Sequence, residues 1–246
     1  MGVAMVTGGA RGIGAAIAKK LAADGFAVGV CDLDGDGAAA LARGIAASGG
    51  RALGLGADVA SAASVAGCIE RFEAQLGEIE VLVNNAGIDI PGFFVESKET
   101  DWDRLWAVNV KGVLHCTQRV LPGMTDRKRG RVINIASDAG RVGAGGEAVY
   151  SATKGAVIAF TKALAREVAR FDVTVNAVCP GATDTALLAM LGAFNPKLHA
   201  NLVRGIPLRR VGQPEDVAGA VAYLASDAAA YVTGQSLSVS GGLTMA

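Results

Sequence analysis

The chain has 246 residues, 51% of them hydrophobic and 19% charged, and its 23 basic and 23 acidic side chains cancel. That is enough apolar material for one large core, which excludes a disordered chain and fits a single domain over residues 1–246. A chain without net charge lacks the broad positive field of a nucleic-acid binder, and no apolar run approaches the length of a membrane span.

Taken in order, short apolar runs alternate with longer helical patterns. Residues 3–7 already read as a buried strand, so no leader peptide is expected before them. Further strands are expected at 27–32, 52–57, 81–84, 131–136, 174–178 and 236–239, with helices beginning near Gly12, Gly35, Ser61, Thr100, Ala148 and Pro214. These strands are continuously apolar instead of alternating, as when helices cover both faces of a sheet. The expected fold is therefore α/β: one Rossmann-type domain with a doubly wound, seven-stranded parallel sheet and helices on both faces.

One stretch breaks the rhythm. Residues 181–207 follow a strand's carboxyl end and read as a loop with short helices at 185–191 and 196–204. Its apolar character and its point of emergence suggest a substrate lid; an ordinary helical excursion packed on the core is the alternative. Cys31, Cys68, Cys116 and Cys179 are scattered, as reduced thiols of a cytoplasmic protein would be. His115 and His199 lack clustered partners, so no metal site is expected. The short basic run Arg127-Lys128-Arg129 with Arg131 reads as a solvated helix end before a strand.

Between the first strand and first helix stands Thr7-Gly8-Gly9-Ala10-Arg11-Gly12-Ile13-Gly14. Glycines let the backbone turn tightly against a pyrophosphate, and the helix N-terminus offers free N–H groups and a positive dipole end. A glycine-rich string alone is weak evidence, but this one has the strand before and the helix after that a dinucleotide site requires. Gly8, Arg11, Gly12, Ile13 and Gly14 are the candidate cofactor contacts here. Asp32, with Leu33, ends the second strand, where a carboxylate can bind both ribose hydroxyls and would repel a 2′-phosphate. That favours NAD over NADP, although Arg11 pulls the other way and Asp32 could also be a cap or turn residue. Asp58 and Val59 are placed near the adenine, and Asn85, Ala86 and Gly87 let the backbone pass close to the cofactor.

The reacting groups follow. Tyr150 and Lys154 are spaced i to i+4, so both project from one helical face, and Ser137 ends the fifth strand. Tyrosine's ordinary pKa, about 10, is too high for a base at neutral pH; a nearby ammonium favours the phenolate. Ser137 can hydrogen-bond a substrate oxygen, and Asn109 can fix a water or carbonyl linking Lys154 to solvent. Alternatively Tyr-x-x-x-Lys is helix surface and Asn109 marks a helix kink. Arg141 could pair with an acidic part of the substrate, or structurally with Glu147 or Asp138.

On Thr7–Gly14, Asn84-Asn85-Ala86-Gly87, Asn109, Ser137, Tyr150-Ser151-Ala152-Thr153-Lys154 and Pro180-Gly181, the chain closely resembles the short-chain dehydrogenase/reductase family over its whole length. The resemblance implies an NAD(P)-dependent oxidoreductase of CH–OH groups with a catalytic Asn109, Ser137, Tyr150 and Lys154. It also places Tyr150, Lys154, Pro180, Gly181, Thr183 and Thr185 against the cofactor, the two threonines at its nicotinamide end. A homotetramer and a small-molecule substrate are implied by analogy. A narrower resemblance, to 2-hydroxycyclohexanecarboxyl-CoA dehydrogenases, rests on segments 136–143, 146–150, 183–188 and 238–245. It points to a cyclic or β-hydroxyacyl-CoA and to NAD. The alternatives are an NADP-dependent 3-oxoacyl, acetoacetyl-CoA or acyl-carrier ketoreductase and, from another class, a non-catalytic dinucleotide sensor.

Overall fold

The computed structural model describes residues 2–245, except for the side chains of Leu198 and His199. The His199 imidazole thus lies outside the described residues. Seven parallel strands form one sheet in the order β3-β2-β1-β4-β5-β6-β7. They are β1 (Val3–Thr7), β2 (Ala27–Asp32), β3 (Ala52–Gly56), β4 (Ile79–Asn84), β5 (Gly130–Ile135), β6 (Val173–Pro180) and β7 (Ser236–Val239). The order reverses between β1 and β4, so the turns leaving these neighbours diverge and open a crevice at the carboxyl edge.

The continuous apolar runs work as expected, because each strand feeds two cores. Along β1, Val3 and Met5 face one side with Val65, Ile69 and Phe72 of α3 (Ala62–Leu76). That core also takes Val120 and Met124 of α5 (Gly112–Asp126) and Leu164 and Val168 of α7 (Ala148–Val168). Ala4 and Val6 face the other side, with Ile17 and Leu21 of α1 (Gly12–Ala23) and Ala38 and Ile45 of α2 (Gly35–Ala47). Val217, Val221 and Leu224 of α10 (Pro214–Ala225) close this second core. Full burial of such a Val or Leu contributes about 1.5–3 kcal/mol, so the two cores hold the sheet rigid behind the crevice.

The helix expected from Thr100 is interrupted. It runs as α4 (Glu99–Trp106), passes through a wide π turn (Ala107–Lys111) and continues as α5. π turns cost regular hydrogen bonding and are found at functional sites; this one carries Asn109. The basic run caps α5 and meets acids at the sheet's amino edge, with Arg127–Glu78 at 3.7 Å and Arg129–Glu80 at 3.4 Å. Between β5 and α7 lies one short helix, α6 (Ala139–Val142), and after β6 come α8 (Ala186–Phe194) and α9 (Pro196–Gly205). No described helix is long and apolar enough to cross a membrane.

Candidate active site

At the glycine turn the backbone leaves β1 with Gly8 at φ +61° and Gly12 at φ +54°. A Cβ on Gly14 would lie 2.1 Å from the Gly8 carbonyl oxygen, and one on Gly8 would lie 2.8 Å from the Ala86 Cα. Neither position admits a larger residue without moving backbone, so the turn and the β4 loop are packed as close as main chains allow. Thr7 and Asn85 join them: Thr7 Oγ1 accepts from the Asn85 and Ala86 N–H groups at 3.0 Å, and Asn85 Nδ2 donates to the Thr7 and Gly8 carbonyls at 2.9 Å. The α1 N-terminus follows Arg11, an exposed residue whose side chain makes no capping bond, so its N–H groups face the crevice unspent. A cradle of this shape fits a dinucleotide pyrophosphate.

Both Asp32 carboxylate oxygens are held, Oδ2 by the Ala10 N–H at 2.9 Å and Oδ1 by the Asp34 N–H at 3.0 Å. Its charge is thereby fixed beside the turn, while Leu33 next to it is 78% exposed. Asp58 is exposed two residues past the end of β3, and its carboxylate accepts from the Ala60 N–H at 2.9 Å; Val59 beside it is buried. These four positions, expected for the cofactor, therefore lie at or just beyond the carboxyl ends of the neighbouring strands β2 and β3, on one edge of the sheet.

Opposite them sit Ser137, Tyr150 and Lys154. Beyond β5 the chain stays tied to β6, Ala136 N–H to the Val178 carbonyl at 2.8 Å and Asp138 N–H to the Pro180 carbonyl at 3.1 Å. This holds Ser137 at the crevice, where its Oγ accepts from the Ala139 N–H at 3.1 Å. Lys154 is buried; its Nζ donates to the Ile135 carbonyl at 2.9 Å and stands 5.7 Å from the Tyr150 ring centre. Burial pulls the Lys154 ammonium down to about 8, with Cys179 and Asp89 opposing. As a residue Tyr150 is half-buried, yet its hydroxyl is enclosed, and this burial pushes it well above its ordinary value. Asp89 adds to the rise, and the Ser137 hydroxyl counters it.

Asn109 does not reach Lys154 with its side chain. Its Oδ1 accepts from the Ile88 N–H at 2.9 Å, and its Nδ2 donates to the Ile88 carbonyl at 2.9 Å and to Thr153 Oγ1 at 3.1 Å. It therefore ties the β4 loop to α7 just beneath Tyr150 and Lys154. Gly87 lies in between, where a Cβ would stand 3.2 Å from Lys154 Nζ and 3.4 Å from Asn109 Oδ1. Arg141 takes the structural alternative, 3.7 Å from Asp138 Oδ1, while Ser238 Oγ donates to Asp138 Oδ2 at 2.7 Å.

The segment after β6 returns over this crevice. Pro180 and Thr183 are buried, and Thr183 Oγ1 donates to the Gly181 carbonyl at 3.1 Å. Thr185 caps α8, and its methyl lies 3.7 Å from where a Gly12 Cβ would be. At the other end of α8 the Phe194 ring reaches within 3.0 Å of a Cβ built on Gly146 and meets Phe93 edge-on, centres 5.6 Å apart. One helix thus spans from the glycine turn to the loop before Tyr150.

The sequence reading quoted Thr153 only within the Tyr150–Lys154 segment and gave it no role, and it did not single out Asp89. Asp89 is buried, and Glu147, three residues before Tyr150, acts on its carboxyl group. Burial, followed by Asp89, pushes Glu147 up to about 8. An acid in the NNAG-loop and another one helical turn before the tyrosine were the available signals, but only the fold brings them together. No group of three or more His, Cys, Asp or Glu able to hold a metal occurs among the described residues.

With the geometry in place, known proteins of similar sequence become informative. A family model described as enoyl-(acyl carrier protein) reductase matches residues 8–244. The chain is 42% identical over 243 residues to the 3-oxoacyl-[acyl-carrier-protein] reductase FabG of Staphylococcus aureus (strain Mu50), covering 98% of each chain. It is 40% identical over 243 residues to the enzyme of the same name from Escherichia coli (strain K12), covering 99% of this chain and 97% of the relative.

Proposed function

We propose that this chain, which belongs to the short-chain dehydrogenase/reductase family and is an oxidoreductase acting on CH–OH groups, interconverts a β-hydroxyacyl thioester and its β-oxoacyl form with NAD. The carrying observation is the grouping of Ser137, Tyr150 and Lys154 across the crevice from the glycine turn, with Lys154 Nζ 2.9 Å from the Ile135 carbonyl oxygen. In a non-catalytic sensor nothing would maintain a buried lysine aimed at a tyrosine at such a cost in desolvation.

The backbone N–H groups of Gly8–Gly14 take the pyrophosphate, Asp32 the ribose hydroxyls, and Asp58 with Val59 the adenine. Asn85, Ala86, Gly87, Pro180, Gly181, Thr183 and Thr185 hold the nicotinamide half. When bound, that group supplies the hydride donor or acceptor and, oxidised, a positive charge. In reduction the Tyr150 hydroxyl donates its proton to the substrate oxygen while the Ser137 hydroxyl hydrogen-bonds the same atom; in oxidation Tyr150 takes the proton back. Lys154 favours the phenolate by its charge. Asn109 positions the Ile88 loop and Thr153, and so the floor on which Lys154 lies.

Two supports converge on the substrate. The curated relatives are named for 3-oxoacyl thioesters of acyl-carrier protein. In a 2-hydroxycyclohexanecarboxyl-CoA, the narrower resemblance, the hydroxyl also stands on the carbon β to the thioester carbonyl. The segment 181–207 acts as the lid over that substrate, with the CoA or carrier arm passing out beneath α8. The fixed Asp32 carboxylate supports NAD; the exposed Arg11 favours the NADP alternative. A cytoplasmic homotetramer belongs to the same proposal, supported by the exposed Trp106 and Leu114 on the α4–α5 face and Leu237 and Met245 at the carboxyl end.

Initial rates of acetoacetyl-CoA reduction with NADH and with NADPH test this. The expected result is turnover with a higher kcat/KM for NADH. A preference for NADPH overturns the cofactor assignment, and turnover of simple secondary alcohols but no thioester overturns the substrate.

A further inference from the structure

Asp138 follows Ser137 directly and is 4% exposed, yet the mechanism above makes no use of its charge. It stands at the N-cap of α6, where an aspartate ordinarily accepts a backbone N–H of its own helix, but its side chain makes no capping bond. The carboxylate is turned instead across β6 to the edge strand β7, where Ser238 Oγ donates to Oδ2 at 2.7 Å. Its other oxygen is buried without a hydrogen bond and has only the Arg141 guanidinium, 3.7 Å away. A buried carboxylate so thinly partnered contributes little to stability. What it holds in place accounts for it better.

Ser137 lies where the β5–β6 ladder runs out. The Ala136 and Asp138 N–H groups donate to Val178 and Pro180, but Pro180 has no N–H to offer in return, so the ladder ties this loop in one direction only. The bond between Asp138 and Ser238 supplies a second tie, and it continues further. Ser238 has a single proton, which the carboxylate takes, so in the 3.0 Å contact between the two hydroxyls Ser240 donates to Ser238. Ser240 Oγ in turn accepts from the Thr244 N–H at 3.2 Å. From Thr244 through Ser240 and Ser238 to Asp138 the bonds form one chain, in which each donor polarises the next.

The far end of the chain is fixed to the base of the segment after β6. The Leu208 N–H donates to the Gly241 carbonyl at 3.1 Å, and a Cβ on Gly241 would lie 2.9 Å from the buried Ile206. On the near side α6 is packed hard on α7, since a Cβ on Gly140 would stand 2.6 Å from the Lys154 carbonyl carbon. The Ser137 loop is therefore clamped between the carboxyl-terminal segment and the helix that carries Tyr150 and Lys154.

We propose that Asp138 is a positioning residue for Ser137: through Ser238 and Ser240 it ties the Ser137 loop to residues 240–244, so that the serine hydroxyl meets the substrate oxygen in one orientation. This rests on the role given to Ser137 above. A positioned donor of this kind is worth about 10²–10³-fold in kcat, and a misplacement of about 1 Å forfeits about 10²-fold.

The test is a cycle of variants in the full-length enzyme, read as kcat for reduction of acetoacetyl-CoA with NADH. With Ser137 present, Asp138→Ala should lower kcat about 10–100-fold while KM for the thioester changes less than about threefold. In a Ser137→Ala background the same substitution should lower the remaining kcat less than about threefold, because a residue that acts through Ser137 then has nothing to position. Ser238→Ala deletes one hydroxyl at a half-buried position and keeps the aspartate. It should repeat both results on a smaller scale, about 3–10-fold and then under about twofold, and it decides the matter if Asp138→Ala does not fold. Equal losses with and without Ser137, or no loss with it, overturn the role of Asp138 alone. A Ser137→Ala variant with undiminished kcat overturns the role of Ser137 and this proposal with it.

Amide hydrogen exchange of the cofactor-free protein needs no substrate. Asp138→Ala and Ser238→Ala should each speed exchange at Ala139 and Gly140 at least about tenfold and leave the α1 amides unchanged. Unaltered exchange at those two positions overturns the clamp. Failure to reduce acetoacetyl-CoA refutes the substrate assignment only, and the exchange result then decides the role of Asp138.

Discussion

Beneath the crevice, Asn84, Asn134, Thr117 and Thr161 are buried and linked in one hydrogen-bonded chain, Asn84 Nδ2 to Asn134 Oδ1 at 2.8 Å and Asn134 Nδ2 to Thr161 Oγ1 at 2.8 Å. Asn109, Thr153 and Lys154 continue this polar floor across to the β4 loop. Above the crevice the pattern inverts. Of the nine residues of α8 only Leu191 is buried, and Leu187, Met190 and Phe194 remain 38%, 48% and 37% exposed. Apart from Asn84 Oδ1, these buried amides and hydroxyls are bonded to one another, and breaking such a bond costs about 1–3 kcal/mol, which holds the floor in place. Lightly packed apolar side chains on a short helix can shift at little cost. The floor is therefore the fixed part of the crevice and the roof its adaptable part; in the proposed reading the first sets the chemistry and the second sets what is admitted to it.

That contrast can be broken, and the largest effect is expected on the floor side. Tyr150→Phe should lower kcat by about 10²–10⁴-fold, the usual worth of a positioned general acid or base, while the affinity for NADH, measured by fluorescence titration, changes little. Residual activity within tenfold of the wild type would remove Tyr150 from proton transfer.

At the cofactor edge, Asp32→Asn should reduce the preference for NADH over NADPH by about 10–100-fold, because it removes a fixed charge from the position a 2′-phosphate would occupy. The comparison of kcat/KM for the two cofactors reads this directly. An unaltered preference would show that Asp32 is a turn residue only.

Lys154 gives a pH-dependent test. Its ammonium is held at about 8 against an ordinary 10.5. Between those values the unfolded chain binds the extra proton, so this group makes stability rise with pH; its cost is full below the lower value and gone above the higher one. Lys154→Met should abolish activity yet raise the unfolding free energy at pH 7 by up to about 3 kcal/mol, with the gain shrinking as pH approaches the lysine's ordinary value. Urea melts at the two pH values measure it. A variant less stable than the wild type at both would show that the bond to Ile135 outweighs desolvation.

The smallest effect belongs to the roof. Phe194→Ala removes the edge contact with Phe93 and the packing over Gly146. It should raise KM for an acyl thioester about 3–10-fold with kcat nearly constant, since exposed apolar contacts are worth about 1 kcal/mol. A fall in kcat equal to that of Tyr150→Phe would contradict the division between floor and roof.

Local patterns were enough to announce the sheet, its two covered faces, the glycine turn and the Tyr150–Lys154 spacing, because these depend on periodicity and on backbone sterics within a few residues. Strand ends moved by only a few positions: β4 begins at Ile79, not 81, and β3 stops at Gly56, not 57. The π turn at Asn109 was legible only as a kink, since its reason is the pull of Asn109 on Ile88 and Thr153, 21 and 44 residues away. The placing of α8 from the Gly12 turn to Gly146, and the approach of Asp89 to Glu147, were decided by the tertiary structure alone. Such contacts join segments that no periodicity relates, and their energies arise only once the sheet has brought the loops of its carboxyl edge together.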